Sequence, residues 1–341
     1  MGAVDRLTYA LSQGARFAWF YGQYQLAQRR TTRVVPREEV PKGMPDRAVL
    51  LRGLYALFRR DLANIERGYY RLPDDMWVPP ARALDTSRRF FRDLARVDAR
   101  RQNGVAQEPV ADPALRRRYP RYYLQNFHFQ SDGYLSEESA ELYDYQVEVL
   151  FTGGADAMRR MALVPLFEAL RGRRHARLVD LGCGTGRFLA MVKHSHPRLA
   201  VTGIDLSPPY LARARATLKR WRGVTLVQGD AAALPLADAS ADVATCIFLF
   251  HELPAKVRAA MAREAARVLK PGGRLLFVDS LQLGDEPAFD PLVELFPLAY
   301  HEPYYADYAR SDLEGLFADA GFRTVAVERA FLSRMMVLEK T

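Results

Sequence analysis

Residues 179–187 read Val-Asp-Leu-Gly-Cys-Gly-Thr-Gly-Arg, with three glycines at alternate positions directly after a short apolar run. Glycine takes left-handed backbone angles without a side-chain clash, so Gly182, Gly184 and Gly186 mark a sharp turn that a ligand can approach closely. Nineteen residues past the last glycine, Asp205 closes a second apolar run. A carboxylate at the end of the second strand of a βαβ unit is placed to accept hydrogen bonds from a ribose diol. The pattern predicts an α/β chain with a nucleoside-bearing ligand lying across the carboxyl ends of a parallel sheet.

The spacing narrows the ligand. A dinucleotide fingerprint needs G-x-G-x-x-G, but here the third glycine comes one residue early, and Asp180 stands two residues before the first. A carboxylate there would repel a pyrophosphate and suit a ligand with positive charge near the turn. At these residues the chain resembles the class I S-adenosylmethionine-dependent methyltransferases, whose methyl donor carries a sulfonium and an ammonium and no phosphate. The likeness continues through Thr202–Ser207, Gln228-Gly-Asp-Ala231 with Leu234–Ala237, Ala241–Phe248 and Leu269–Asp279. It implies a Rossmann-like seven-stranded sheet with helices on both faces and a final strand inserted antiparallel. It also implies S-adenosylmethionine as cofactor, held by Asp180, Gly182, Gly184, Gly186, Asp205, Leu206, Asp230 and Ala231. Asp205 would meet the ribose hydroxyls and Asp230 the adenine amino group.

Ahead of the glycine turn, Glu141–Arg160 is similar to the pre-core helix of the ubiquinone and menaquinone methyltransferase type, where a Tyr-Asp pair precedes the turn. The resemblance makes Tyr143 a lid contact on the cofactor. An aromatic face beside a sulfonium is favourable by about 0.5–2 kcal/mol. A simple packing role for Tyr143 stays equally open.

Three regions follow from this reading. Residues 1–113 form a helical N-terminal accessory region, 114–170 a set of lid helices, and 171–341 the core, with an acceptor-pocket insertion at about 281–309. Apolar residues at helical spacing over 47–67 and 85–101 read as bundled helices, and Asn103 to Pro113 as a linker. Residues 7–28 are sparsely charged and carry Tyr9, Phe17, Trp19, Phe20, Tyr21 and Tyr24, with Arg29 and Arg30 following. Such a helix either packs on protein or lies at a bilayer surface, which makes residues 7–30 a candidate peripheral membrane contact.

The formal charge of +9 is spread along the chain. Residues 1–150 hold 24 basic and 19 acidic side chains, a surplus of five, which leaves 25 and 21, a surplus of four, for the rest. No arm or recognisable RNA-binding module concentrates it, so nucleic acid is disfavoured as a partner. Two cysteines without a framework fit a reducing compartment and a cytoplasmic location. The sequence leaves a homodimer open.

Methyl transfer from a sulfonium mainly needs an aligned nucleophile and, for ring carbon or oxygen acceptors, a group to take a proton. His251 follows the fourth predicted strand and is the first candidate for general base or acceptor-orienting group, with His301 the second. Tyr300 and Tyr304 are candidates to pack an acceptor, and His128, between two phenylalanines, to enter the same pocket. No metal-ligand set is evident; His194 and His196 read as surface residues at a helix end. The expected function is methyl transfer to a hydrophobic, aromatic or lipid-like small molecule by C- or O-methylation. An RNA methyltransferase and a cofactor-binding, non-catalytic partner subunit are the alternatives. Replacing Asp205 by Ala is expected to weaken cofactor binding with little effect on folding.

Overall fold

The structure is a computed structural model and describes residues 2–32, 35–103, 113–129 and 133–341. The linker expected at Asn103 to Pro113 lies, apart from its ends, outside the described residues. Among the described residues, seven α-helices precede the sheet: α1 (Ala3–Arg30), α2 (Arg47–Glu66), α3 (Pro80–Gln102), α4 (Pro113–Arg118), α5 (Glu137–Leu150), α6 (Ala155–Arg160) and α7 (Leu163–Leu170). Their starts have local causes. Asp46 caps α2 by accepting from the Val49 N–H at 2.8 Å, and Ser136 caps α5 by accepting from Ser139 at 3.2 Å.

From residue 177 strands and helices alternate. β1 (Arg177–Leu181), α8 (Arg187–Ser195), β2 (Ala200–Asp205), α9 (Pro208–Leu218) and β3 (Val224–Gln228) make the first half. The second half is β4 (Ala241–Ile247), α10 (Ala255–Val268), β5 (Leu269–Ser280), α11 (Asp290–Ala299), α12 (Tyr305–Tyr308), α13 (Leu313–Asp319), β6 (Phe322–Ala330) and β7 (Ser333–Lys340). The sheet order is β3-β2-β1-β4-β5-β7-β6, parallel throughout except for β7, which runs antiparallel to both β5 and β6. The seven-stranded sheet and antiparallel final strand expected from the motifs are present. Between β1 and β4 the strand order reverses, the place where open α/β sheets hold ligands.

Side chains on alternate positions feed two cores. Leu178, Val201, Val243 and Leu276 face one side with Leu189, Met158 and Leu166. Val179, Ile204, Ala244 and Phe277 face the other with Met261 and Phe317. Tyr9 of α1 and Leu54 and Leu57 of α2 belong to the first of these cores. α1 and α2 therefore share the core of the sheet, while α3 packs with α1 and α5 in a separate cluster around Phe20, Phe90 and Val149.

Two polar clamps strengthen that union. Asp61 of α2, fully buried, accepts from Tyr9 (2.7 Å), Tyr70 (2.6 Å) and the Arg160 guanidinium (2.6 Å). Asp156 of α6 gathers Arg16 of α1, Arg159 and Arg187, the first residue of α8. The aromatic residues of α1 are engaged within the protein: Tyr9 and Phe20 are buried, and the Trp19 indole donates to Tyr145 at 3.2 Å. Val4, Leu7, Leu11 and Leu26 remain as the exposed large apolar side chains of α1. No helix among the described residues is long and apolar enough to cross a membrane.

Candidate active site

The glycine turn joins β1 to α8 with all three glycines in left-handed backbone, at φ of 71°, 53° and 74°. A side chain would fail here for two reasons. At Gly182 a Cβ would stand 2.7 Å from Leu249, and at Gly186 one would press on Leu218 at 3.0 Å. With no side chain at 182, 184 or 186, the backbone there lies open to a cleft bounded by Asp180, Asp144, Arg159 and Tyr143.

Asp180 is the telling residue of that cleft. It is almost fully buried; Oδ1 accepts from the Thr245 hydroxyl at 2.6 Å, while Oδ2 has no hydrogen-bond partner among the described residues. Burial pushes its carboxyl up to about 7, against the pull of the Thr245 bond. An orphaned carboxylate oxygen beside a glycine turn fits a ligand cation, and the ammonium of S-adenosylmethionine is such a group.

On the other side of the turn a second cleft runs past Ile204, Asp205, Leu206, Asp230 and Ala231. Asp205 does two things at once. Its Oδ2 accepts from the Gly184 N–H at 2.8 Å and its Oδ1 from the Ser207 N–H at 2.9 Å, so it ties the turn to the start of α9. The expectation of little effect on folding from Asp205→Ala therefore needs correcting, because that change removes two hydrogen bonds. Asp230 accepts from the Tyr122 hydroxyl at 2.9 Å and from the Ala232 N–H at 2.8 Å.

The Tyr-Asp pair of α5 covers the turn. Asp144 accepts from the Thr185 hydroxyl at 2.9 Å, which latches the helix onto the glycine segment. Tyr143 lines the first cleft and a third one behind it. That third cleft is walled by Val147, Leu150, Phe151, Phe248, Leu292 and Phe296, with polar groups at His128, His251, Glu252 and Tyr305. With its open mouth included it holds about 730 Å³ of space.

His251 sits in a 3-10 turn, Phe250–Glu252, immediately after β4. Its Nδ1 is 2.5 Å from Oδ1 of Asp279, which is wholly buried near the end of β5. Burial by itself would lower the imidazole's pKa, but the Asp279 carboxylate, with Glu252 and Glu302 behind it, raises it to about 10. The Asp279 carboxylate thus favours the imidazolium form, which suits the acceptor-orienting half of its candidacy better than the general-base half. Phe248, in the connection from β4, holds a left-handed φ of 56°. Backbone strain of this kind, about 1–3 kcal/mol, collects at ligand sites.

The remaining candidates are placed unequally. His128 lines the third cleft, its Nε2 3.1 Å from Glu302 Oε1 but off the axis of a hydrogen bond. Burial drives its pKa down to about 3, so it is neutral. Tyr300 packs on Phe296 at 4.9 Å between ring centroids, behind the cleft wall. Tyr304 joins a cluster with Phe127, Tyr134 and Tyr210, and His301 accepts from the His128 N–H through its backbone carbonyl at 3.2 Å. None of Tyr300, His301 and Tyr304 lines any of the three clefts. His194 bonds the Leu72 carbonyl at 2.8 Å.

Sequence reasoning passed over Glu252, Asp279, Glu302, Arg159, Thr185 and Tyr134. Two of these carried a signal. Asp279 ends an apolar run as Asp205 does, and Glu252 adjoins the histidine that was singled out. The others come together only through tertiary structure.

Residues 178–273 match the model of a family described as a methyltransferase domain. A demethylmenaquinone methyltransferase of Thermus thermophilus is 38% identical over 143 residues, covering 42% of this chain and 62% of that protein. A malonyl-[acyl-carrier protein] O-methyltransferase of Methylococcus capsulatus is 36% identical over 126 residues, 36% of this chain and 45% of its own length. A demethylmenaquinone methyltransferase of Lactiplantibacillus plantarum is 29% identical over 219 residues, 57% of this chain and 89% of its own. The chain thus spans 62% and 45% of the first two of these relatives. With the glycine turn, the orphaned Asp180 oxygen and the sheet order already described, these matches identify the chain as carrying a class I S-adenosylmethionine-dependent methyltransferase domain.

Proposed function

We propose that the protein transfers the methyl group of S-adenosylmethionine to a hydrophobic, aromatic or lipid-like small molecule, by C- or O-methylation. The observation that carries this reading is the third cleft. Its walls are aliphatic and aromatic, and it shares Tyr143, Phe248 and Glu252 with the cleft over the glycine turn. An apolar acceptor seated there would face the cofactor across the shared residues, with bulk water displaced from the apolar walls.

The residues divide the work. Asp180 would meet the cofactor's ammonium, Asp205 its ribose and Asp230 its adenine, with Leu206 and Ala231 packing beside the ring. Gly182, Gly184 and Gly186 let the backbone approach, and Tyr143 presents an aromatic face. When bound, the cofactor supplies a methyl group already activated by positive charge on sulfur. Phe151, Phe248 and Phe296 would hold the acceptor ring, while His251 donates a hydrogen bond that orients its oxygen. The second face of the site is the region 114–170, acting as a cover latched by Asp144 and Thr185. Two of the relatives are named for demethylmenaquinone, which supports a ring-bearing, lipid-like acceptor.

Labelled S-adenosylmethionine tests the reading when incubated with demethylmenaquinol, a total lipid extract and total RNA in parallel. Label in the quinol or the lipid fraction supports it. Label in RNA alone, or in none of the three, overturns it.

A further inference from the structure

Glu252 is the residue common to all three clefts: the one over the glycine turn, the one past Asp205 and Asp230, and the apolar one behind Tyr143. Asp205 lines the first two and His251 only the third. The point where cofactor and acceptor must meet is therefore the point where this carboxyl group stands. It is nine-tenths buried, with Oε1 accepting from the Tyr134 hydroxyl at 2.6 Å and lying 3.9 Å from Nε2 of His251.

Its surroundings leave it short of positive charge. On its own turn stands His251, which is already matched by Asp279 of β5. From the segment after α11 comes Glu302, buried and without a well-aligned hydrogen bond on either oxygen. Asp205 of β2 adds a further negative charge, and the hydroxyls of Tyr134, Tyr143 on α5 and Tyr210 on α9 face it from the cover and the sheet edge. His128, being neutral, contributes no charge. Two buried carboxyl groups, Glu252 and Glu302, thus stand near one cation, His251, which Asp279 already pairs, and such a site holds protons tightly.

We propose that Glu252 is the proton acceptor for the methylated group, standing at the junction where transfer occurs. The proposal rests on the methyl-transfer reading above. As the acceptor's oxygen or carbon bonds to the methyl carbon, the sulfur–methyl bond breaks and its electron pair stays on sulfur. The acceptor's O–H or C–H bond breaks, its electrons remain with the acceptor, and the proton moves to the Glu252 carboxylate. One cation is consumed and one carboxylate neutralised, so charge balances without a further reagent.

The protonation behaviour agrees. Burial pushes Glu252 up to about 7, despite the opposing pull of the His251 cation and the Tyr134 hydroxyl, and raises Glu302 well above the usual carboxylate range. A group with that value is divided between acid and base at neutral pH, the condition under which proton transfer works best. His251, raised to about 10, suits this part less well.

The test has two readouts on the full chain. Isotope-edited infrared spectra of the protein with labelled glutamate, loaded with S-adenosylhomocysteine, are titrated from pH 5 to 9 (the range about two units either side of neutrality). A carboxyl band that disappears with a midpoint near neutrality in the wild type, and is missing in Glu252→Gln, is the expected result. No such band, or one that persists in the variant, overturns the assignment whatever the activity shows. Labelled-methyl transfer into whichever fraction the wild type methylates supplies the second readout. Glu252→Gln should lose about 100- to 10,000-fold in turnover and the acidic limb of the pH profile, and Glu252→Asp should restore part of both. Far-UV circular dichroism and a thermal unfolding midpoint matching wild type confirm that the variants are folded. An active wild type with an equally active Glu252→Gln sinks the proton-acceptor role alone. A wild type silent on every fraction overturns the methyl-transfer reading instead, and the infrared titration still decides the carboxyl group.

Discussion

Nδ1 of His251 stands 2.5 Å from Oδ1 of Asp279, which binds the carboxyl ends of β4 and β5 together beneath the acceptor cleft. Oδ2 of the same aspartate accepts from the Leu249 and Phe250 N–H groups at 3.1 and 2.7 Å. A buried carboxylate therefore shapes the whole turn that carries Phe248, His251 and Glu252.

The imidazole's raised pKa makes a prediction about stability and pH. Its folded value of about 10 lies above an unfolded value of about 6.5, so the folded state binds the proton more tightly. The stabilisation is fully present below about pH 6.5 and is lost as pH rises through about 10. Urea unfolding should show wild-type stability falling across that window relative to His251→Gln. A difference between the two that does not change with pH contradicts the ion pair.

Asp205→Ala should fail in two ways. Loss of the bonds to Gly184 and Ser207 costs about 1–3 kcal/mol of stability, measured by chemical unfolding, and cofactor affinity drops at least tenfold in calorimetry. Full stability in that variant would show that the turn holds itself without the carboxylate. Full affinity would remove the ribose assignment.

Asp180 ties cofactor binding to pH. With its carboxyl near 7 in the free protein, the ionised form that suits an ammonium ligand is depleted below neutrality. S-adenosylhomocysteine affinity should fall as pH drops from 8 to 6, by at most about tenfold per unit, and level off above. Asp180→Asn should bind more weakly and without that slope. An identical slope in the variant assigns the proton elsewhere.

Arg160 and Asp61 carry the union of α2 with α6. Either Arg160→Met or Asp61→Ala strands a buried charge and should cost about 3–5 kcal/mol. The double variant should lose less than the sum of the two, since neither charge is left alone. Additive losses would mean that Tyr9 and Tyr70, rather than the ion pair, hold the N-terminal helices.

The legible parts of this chain were those with a local cause. Strand alternation, the glycine turn and the strand-end aspartates depend on residues close in sequence, and each of those strands is found where the motifs suggested. The antiparallel β7 followed from family likeness, since nothing in Ser333–Lys340 states its direction. The electrostatics of the acceptor side were illegible. His251 looks like a base until Asp279, 28 positions later, is folded against it. Glu252 looks like a helix-flanking acid until three clefts converge on it. The tyrosines and histidine of 300–304 illustrate the reverse error. Tyr300 and Tyr304 read as acceptor-packing residues, but Tyr300 packs on Phe296 and Tyr304 joins the Phe127, Tyr134 and Tyr210 cluster, leaving Phe296 and Tyr305 to line the cleft.

A crystal structure with S-adenosylhomocysteine bound tests the central claim most directly. The account predicts adenosine between Asp205 and Asp230, the amino group on Asp180, and the sulfur turned toward Phe248 and Glu252, with the apolar cleft open beyond it. A ligand lying elsewhere, or one whose sulfur faces away from that junction, would contradict it.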